Sequence, residues 1–254
     1  MIEPILDKNL NIPRRLKHAG FVSARWFVLP GLRVGLRMKV FGLDNIPKRG
    51  GALIICNHLG WFDPVLLVAA SLRPLLWMAK AEFIKYPFLR WMAYQAGAFP
   101  VRRGQVDRQA LRHAQQLLDD GMLVGMFPEG TRSRTGGLIE PFGGASLIAL
   151  RAHAPIIPCA LVGTERLPLS GFKPSRRRYP KVTALFGEPF TLEHIAPDGT
   201  KRSLDDLTDA MMIEIARMLP EQYRGIYADR CDAPHPAVRR ESIVFTGLDT
   251  GNNS

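Results

Sequence analysis

Ala52-Leu53-Ile54-Ile55-Cys56-Asn57-His58-Leu59-Gly60-Trp61-Phe62-Asp63-Pro64 decides how the rest of this sequence is read. The five small or apolar residues 52–56 follow the turn-forming Lys48-Arg49-Gly50-Gly51 and have the length and composition of a buried strand. Pro64 suits the first turn of a helix, where a missing N–H costs little, and Asp63 before it is the expected N-cap. A histidine ending a strand and an aspartate opening the next helix can meet across one tight turn. A carboxylate in that place holds the imidazole in one tautomer and leaves the other ring nitrogen to take a proton from a hydroxyl. Most His and Asp residues at such a spacing only cap or pack, so the pair needs a second observation.

Phe127-Pro128-Glu129-Gly130-Thr131-Arg132-Ser133 supplies it. This cluster follows another apolar run, 122–126, and again sets polar and charged groups where a buried strand ends. Two such strand ends imply one crevice. Outward from them, strands are predicted over 38–42, 76–79, 97–101, 156–162 and 182–186. Helices are expected after Pro64, over 87–95 and 144–153, and over 107–118, where Ala110, Leu111, Ala114, Leu117 and Leu118 share a face. A last helix over 203–219 carries Leu204, Leu207, Met211, Ile215 and Met218 on its apolar side. The alternation predicts an α/β fold, a mostly parallel central sheet covered by helices, with ligands at the carboxyl ends of its strands.

At 254 residues, 46% hydrophobic and 22% charged, the chain has the composition of one folded domain with terminal additions. Its 34 Lys and Arg against 23 Asp and Glu give a formal charge of +11, which favours polyanions, nucleic acid and anionic membrane alike. No zinc, RNP or helix-turn-helix pattern accompanies the charge, so no nucleic-acid partner is expected. Neither a G-x-x-x-x-G-K-[ST] loop nor a G-x-S-x-G elbow occurs, which leaves nucleotide hydrolysis and serine-hydrolase chemistry without support. Cys56, Cys159 and Cys231 have no metal or disulfide spacing and suit a reducing compartment. Residues 1–20 lack the uninterrupted apolar core of a secretory signal.

Residues 21–38 are apolar and aromatic but broken by Arg25, Arg33, Arg37 and Pro30, too interrupted for a spanning helix. They are read as short amphipathic helices, lying in a membrane interface with Phe21, Trp26, Phe27 and Leu29 inward, or packed on the domain. The expected division is therefore an amphipathic segment over 1–38, a main domain over 39–227, and a polar, poorly ordered tail over 228–254. Lys173, Arg176, Arg177, Arg178 and Lys181 form a basic loop, either a solvated charge run or a second contact with anionic lipid or an acidic carrier protein.

With both clusters in view, the sequence resembles the glycerolipid acyltransferases that include 1-acyl-sn-glycerol-3-phosphate acyltransferase. Asn57-His58-Leu59-Gly60-Trp61-Phe62-Asp63-Pro64 is similar to the family's first motif, and Phe127 to Ser133 matches the third. Gly97-Ala98-Phe99-Pro100-Val101-Arg102-Arg103 resembles the second, and Ala154-Pro155-Ile156-Ile157-Pro158 the fourth, all in family order over roughly residues 36–189. Gly60 stands where many members carry Ser, and Arg102 where many carry Asp.

The resemblance implies transfer of a fatty acyl group from acyl-CoA or acyl-ACP to the free hydroxyl of lysophosphatidic acid or a related lysolipid, giving phosphatidic acid in the first case. It implies no cofactor beyond that co-substrate, and a protein peripheral or monotopic on the cytoplasmic face of a membrane. A non-catalytic lipid-binding protein of the same fold is the contrasting reading. Thioesters are already activated, so His58 is expected as general base, oriented by Asp63. Main-chain N–H groups around Gly60 are the expected donors to the developing oxyanion. Arg132 is the first candidate for an acceptor phosphate, followed by Arg103 and Lys80, with Gly130 and Thr131 as further donors. Glu129 is expected to position Arg132 or to accept from the acceptor hydroxyl. Cys56 shares a strand face with His58 and is either a nucleophile or core packing. Trp61, Phe62, Leu66, Phe83 and Phe88 are candidates to line an acyl channel.

Overall fold

In the computed structural model, residues 37–80, 98–101, 108–167 and 181–240 are described, together with Gly31 and Gly35. The expected amphipathic helices within 21–36, the helix over 87–95, the pair Arg102 and Arg103, and all of the basic loop except Lys181 lie outside the described residues.

The run Ala52–Cys56 forms β2, and every one of its residues is buried. A strand so apolar has to be covered on both faces. Successive side chains do point to opposite sides: Leu53 and Ile55 join one core cluster, Ala52, Ile54 and Cys56 the other. The elements around it are β1 (Lys39–Phe41), α1 (Asp63–Ala70), β3 (Leu75–Lys80), β4 (Ala98–Val101), α2 (Arg108–Asp119), β5 (Leu123–Met126), α3 (Gly144–Ala152), β6 (Ile156–Val162) and β7 (Thr183–Phe186). Then come β8 (Thr191–Leu192), α4 (Leu204–Met218), α5 (Glu221–Arg224) and β9 (Val238–Arg239). The seven-stranded sheet has the order β1-β7-β6-β2-β5-β3-β4. Strands β2 to β6 run parallel, whereas β7 pairs antiparallel with β6 and carries β1 beside it. The sheet is therefore mixed and mostly parallel.

β2 lies between β5 and β6, its register pairing Ile55 with Met126 on one side and Cys56 with Cys159 on the other. The chain leaves β2 toward β3 and β4 and returns through β5 before crossing to β6. This switch point opens a crevice at the carboxyl end of β2. The segments after β2 and β5, which carry the two polar clusters, are thereby made neighbours.

On one face α1 packs Leu66, Leu67 and Ala70 against Ile54, Leu75 and Trp77. On the other, α2 buries Ala110, Leu111, Ala114, Leu117 and Leu118 as its periodicity predicts. α4 is more enclosed than one apolar stripe implies. Met212, Ile213 and Glu214 are buried with Leu207, Met211 and Ile215, whereas Leu204 is exposed. Ser203 caps this helix by accepting from Asp206 N at 3.0 Å.

The outer side of α4 explains a correction. The segment from Ala228, expected as a poorly ordered tail, is packed as far as Arg240. Cys231, Ala237 and Val238 are buried, β9 pairs with β8, and Arg239 and Arg240 bond Glu193 and the buried Glu214. A buried carboxylate needs cations, and this polar segment adds Arg240 to the Arg217 that Glu214 already meets on its own helix. Residues 241–254 lie outside the described residues.

Gly125 in β5 makes room for Trp77, the largest fully buried side chain among the described residues. A Cβ there would come within 2.6 Å of the Trp77 ring, which is 1% exposed. Gly125→Ala is expected to force that ring aside and cost about 1–3 kcal/mol. Urea unfolding followed by tryptophan fluorescence checks it, with the folded-state emission shifting as well.

Candidate active site

At the end of β2 the Asn57 side chain takes over from the strand ladder. Its Nδ2 donates to Leu161 O at 2.9 Å, and Leu161 N donates to its Oδ1 at 2.7 Å. A side-chain amide thus satisfies one donor and one acceptor of β6, and the main chain of β2 is free to turn. The next residue, His58, is held by the segment after β5. Its N–H donates to Glu129 Oε1 at 2.8 Å, and its carbonyl accepts from Ser133 N at 2.8 Å.

The His58 ring is fixed by two further contacts. It stacks on Phe127 with centroids 4.0 Å apart, and Phe127 stacks on Trp77 at 4.5 Å. Its Nδ1 donates to Asp63 Oδ2 at 2.8 Å. That oxygen also accepts from Leu59 N at 2.7 Å and Gly60 N at 2.8 Å. An oxygen already accepting two main-chain N–H groups carries no proton, so the ring nitrogen is the donor. The proton therefore sits on Nδ1, and in the neutral ring Nε2 keeps its lone pair on the side away from Asp63.

The expected meeting of His58 and Asp63 across one turn is therefore present, with two corrections. Asp63 is the first residue of α1 and not its cap; Phe62 occupies the cap position with no side-chain hydrogen bond. The carboxylate reaches backward to close the turn 58–63 instead of forward into the helix. In doing so it occupies the N–H groups of Leu59 and Gly60, so the amides expected to serve an oxyanion are already used.

Glu129 is 1% exposed, and its second oxygen, Oε2, accepts from Ile139 N at 3.2 Å. Burial pushes its carboxyl up to about 8. The expected link from Glu129 to Arg132 is replaced by these main-chain bonds. The Arg132 guanidinium instead lies over Trp61, 4.5 Å from the ring centroid, and both side chains reach the surface. Gly130 adopts φ 62°, a left-handed turn, and a Cβ there would meet the Phe142 ring at 2.7 Å. Thr131 is exposed. Lys80 ends β3 at the same edge of the sheet, two strands from β2, while Arg103 lies outside the described residues.

Cys56 is fully buried beside Cys159, and burial raises its thiol well above the ordinary range, which makes it core and opposes the nucleophile reading. Among the expected channel residues, Leu66 is in the core, Trp61 and Phe62 are exposed, and Phe83 and Phe88 lie outside the described residues. Among the described residues no group of three or more His, Cys, Asp or Glu side chains is placed to hold a metal.

A family model described as Acyltransferase matches residues 37–162. The 1-acyl-sn-glycerol-3-phosphate acyltransferase of Bacillus subtilis is 31% identical over 186 residues, covering 72% of this chain and 88% of that protein. The chain belongs to the acyltransferase family. The protein of the same name from Borreliella burgdorferi is 29% identical over 52% of this chain, which spans about half (53%) of its length. A crystal structure of the 1-acyl-sn-glycerophosphate (LPA) acyltransferase of Thermotoga maritima superposes with a TM-score of 0.56 at 24% identity, covering 80% of this chain and 85% of that one. At that identity the superposition speaks for the fold. Both polar clusters of this acyltransferase lie inside the matched region.

Two outcomes follow from the geometry. Asp63→Asn keeps an oxygen for the turn but removes the charge that supports the ring. Turnover should fall about a thousandfold with little loss of thermal stability, whereas Asp63→Ala should lose both; steady-state rates and melting curves separate them. For Glu129 burial pushes the folded carboxyl up to about 8, against 4.5 for the same group in solvent. Between those limits the unfolded chain has already released that proton, so stability falls as pH rises, by up to ~1.4 kcal/mol per unit. Urea unfolding at several pH values should show that slope in the wild type and its loss in Glu129→Gln.

Proposed function

We propose that this acyltransferase moves a fatty acyl group from a thioester donor, acyl-CoA or acyl-ACP, to the free hydroxyl of 1-acyl-sn-glycerol-3-phosphate, giving phosphatidic acid. The single observation that carries the reading is the His58 Nδ1 bond to Asp63 Oδ2, 2.8 Å long and buried, at the carboxyl end of the central strand. In this reading Nε2 takes the proton of the acceptor hydroxyl as its oxygen attacks the thioester carbonyl. Asp63 steadies the imidazolium that results. The thiolate leaves and takes up the proton from Nε2, so no covalent enzyme intermediate is needed.

The acceptor phosphate is assigned to Arg132, whose guanidinium binds such a group through two N–H donors, with Thr131 and the Gly130 main chain beside it. Arg103 and Lys80 are proposed as further cations around the same phosphate. Relatives named for this reaction support the acceptor class. We further assign residues 1–38 to contact with an anionic membrane from the cytoplasmic side. The charge of +11 and the Arg-interrupted aromatic run over 21–38 support this placement.

Release of free thiol from acyl-CoA by the detergent-purified chain, with and without 1-acyl-sn-glycerol-3-phosphate, tests the reading. The expected result is release that depends on the acceptor and drops on the order of a hundred to ten-thousandfold in His58→Ala. Arg132→Ala should chiefly raise the acceptor KM. Acceptor-dependent release that survives His58→Ala would remove the proposed base.

A further inference from the structure

We propose that Glu129 is a positioning residue for His58 and not a ligand of the acceptor. The inference rests on the reading of His58 as general base.

The β2 ladder ends before His58: the last pairs are Ile55 with Met126 and Cys56 with Cys159. Beyond that point the main-chain groups of His58 need other partners, because a buried N–H left unpaired is costly. Both come from the segment after β5, Glu129 Oε1 for the N–H and Ser133 N for the carbonyl, each at 2.8 Å. Glu129 therefore continues the β2 to β5 pairing with a side chain where the two main chains have diverged.

Its other oxygen ties down Ile139 N at 3.2 Å, and Phe142 N donates to Pro128 O at 2.8 Å. The loop 138–142 is thus fastened back onto the same turn. One carboxyl bridges three pieces of chain: the segment after β2, the segment after β5, and this loop.

That arrangement leaves little for an acceptor. Both oxygens are engaged by main-chain N–H groups, the residue is 1% exposed, and the buried carboxyl of Asp63 acts on it as a like charge. A phosphate or an attacking hydroxyl approaching Glu129 would have to displace a bond that holds the base. Burial favours the protonated form of Glu129, and a neutral carboxyl still accepts through its carbonyl oxygen, in line with the shorter bond going to His58. Positional errors near 1 Å at a reacting group cost rates of order a hundredfold, so the main-chain clamp reaches the chemistry through the ring it carries.

The experiment compares wild type, Glu129→Ala, Glu129→Gln and His58→Ala as full chains in detergent, with acyl-CoA as donor and 1-acyl-sn-glycerol-3-phosphate varied. Glu129→Ala should lower kcat roughly a hundredfold with the acceptor KM changed by less than about threefold. Glu129→Gln keeps one carbonyl oxygen for His58 N and should recover at least about tenfold of that kcat. In spectra of histidine-labelled protein the His58 ring signals should move in Glu129→Ala, although the two side chains share no bond. Melting curves confirm folding, and should Glu129→Ala not fold, Glu129→Gln and Glu129→Asp carry the comparison. A rise in acceptor KM of tenfold or more with kcat preserved makes Glu129 an acceptor ligand and overturns the proposal. Unmoved His58 signals with kcat preserved overturn it too. Loss of the base reading shows itself separately, as a His58→Ala chain that still turns over.

Discussion

One oxygen, Oδ2 of Asp63, accepts from three donors within three residues of each other: the His58 ring, Leu59 N and Gly60 N. The main-chain bonds close the turn between β2 and α1, and the ring bond sets the tautomer. Because the same atom does both, the shape of the turn and the direction of the histidine cannot vary independently. Its partner oxygen, Oδ1, is buried with no hydrogen-bond partner among the described residues. The carboxylate therefore acts through one oxygen only, and its desolvation is offset by three short bonds on that side.

The second constraint is topological. β2 occupies the middle of the sheet with β5 and β6 on either side, so three strand ends converge on the residues after Cys56. Asn57 uses β6, and His58 uses the segment after β5. Behind the ring, Phe127 and Trp77 form a stack that β5 can seat only because position 125 has no side chain. The histidine is thus fixed by hydrogen bonds along its main chain, by an ion at one ring nitrogen and by an aromatic face, while one nitrogen stays available.

Strand and helix positions were legible in the sequence because the alternation of apolar runs and turn residues reports burial directly. β6 was predicted over its full length, 156–162, and α2 from the spacing of its five buried residues. The pairing of His58 with Asp63 was legible from spacing, since five residues span one turn. What spacing could not report is which donors a carboxylate meets. Asp63 before Pro64 looks like a cap, yet its oxygen turns back to Leu59 and Gly60; Glu129 near Arg132 looks like an ion pair, yet it finds His58 N and Ile139 N. Main-chain N–H groups leave no mark on a sequence. The parts of Asn57 and Ser133 are hidden for the same reason, and that of Phe127 because a stack between rings from distant parts of the chain has no fixed spacing in the sequence. The order of 228–240 was hidden because its anchors, Arg239 and Arg240, bond carboxylates dozens of residues away.

Two buried carboxyl groups beside one histidine would place two negative charges where only one is useful. Burial separates them. Glu129, held by two main-chain donors, is pushed up to about 8 by burial, which favours its protonated form. Asp63, with the imidazole and two shorter main-chain bonds on one oxygen, is the group able to face a positive ring. Among the described residues, Asp63 stands behind the histidine and the Arg132 guanidinium lies over the exposed Trp61 ring. A neutral carboxyl beside the main chain of His58 adds no second negative charge to that of Asp63. The same burial that lets Glu129 hold the histidine thus removes the charge that would oppose a phosphate-bearing substrate.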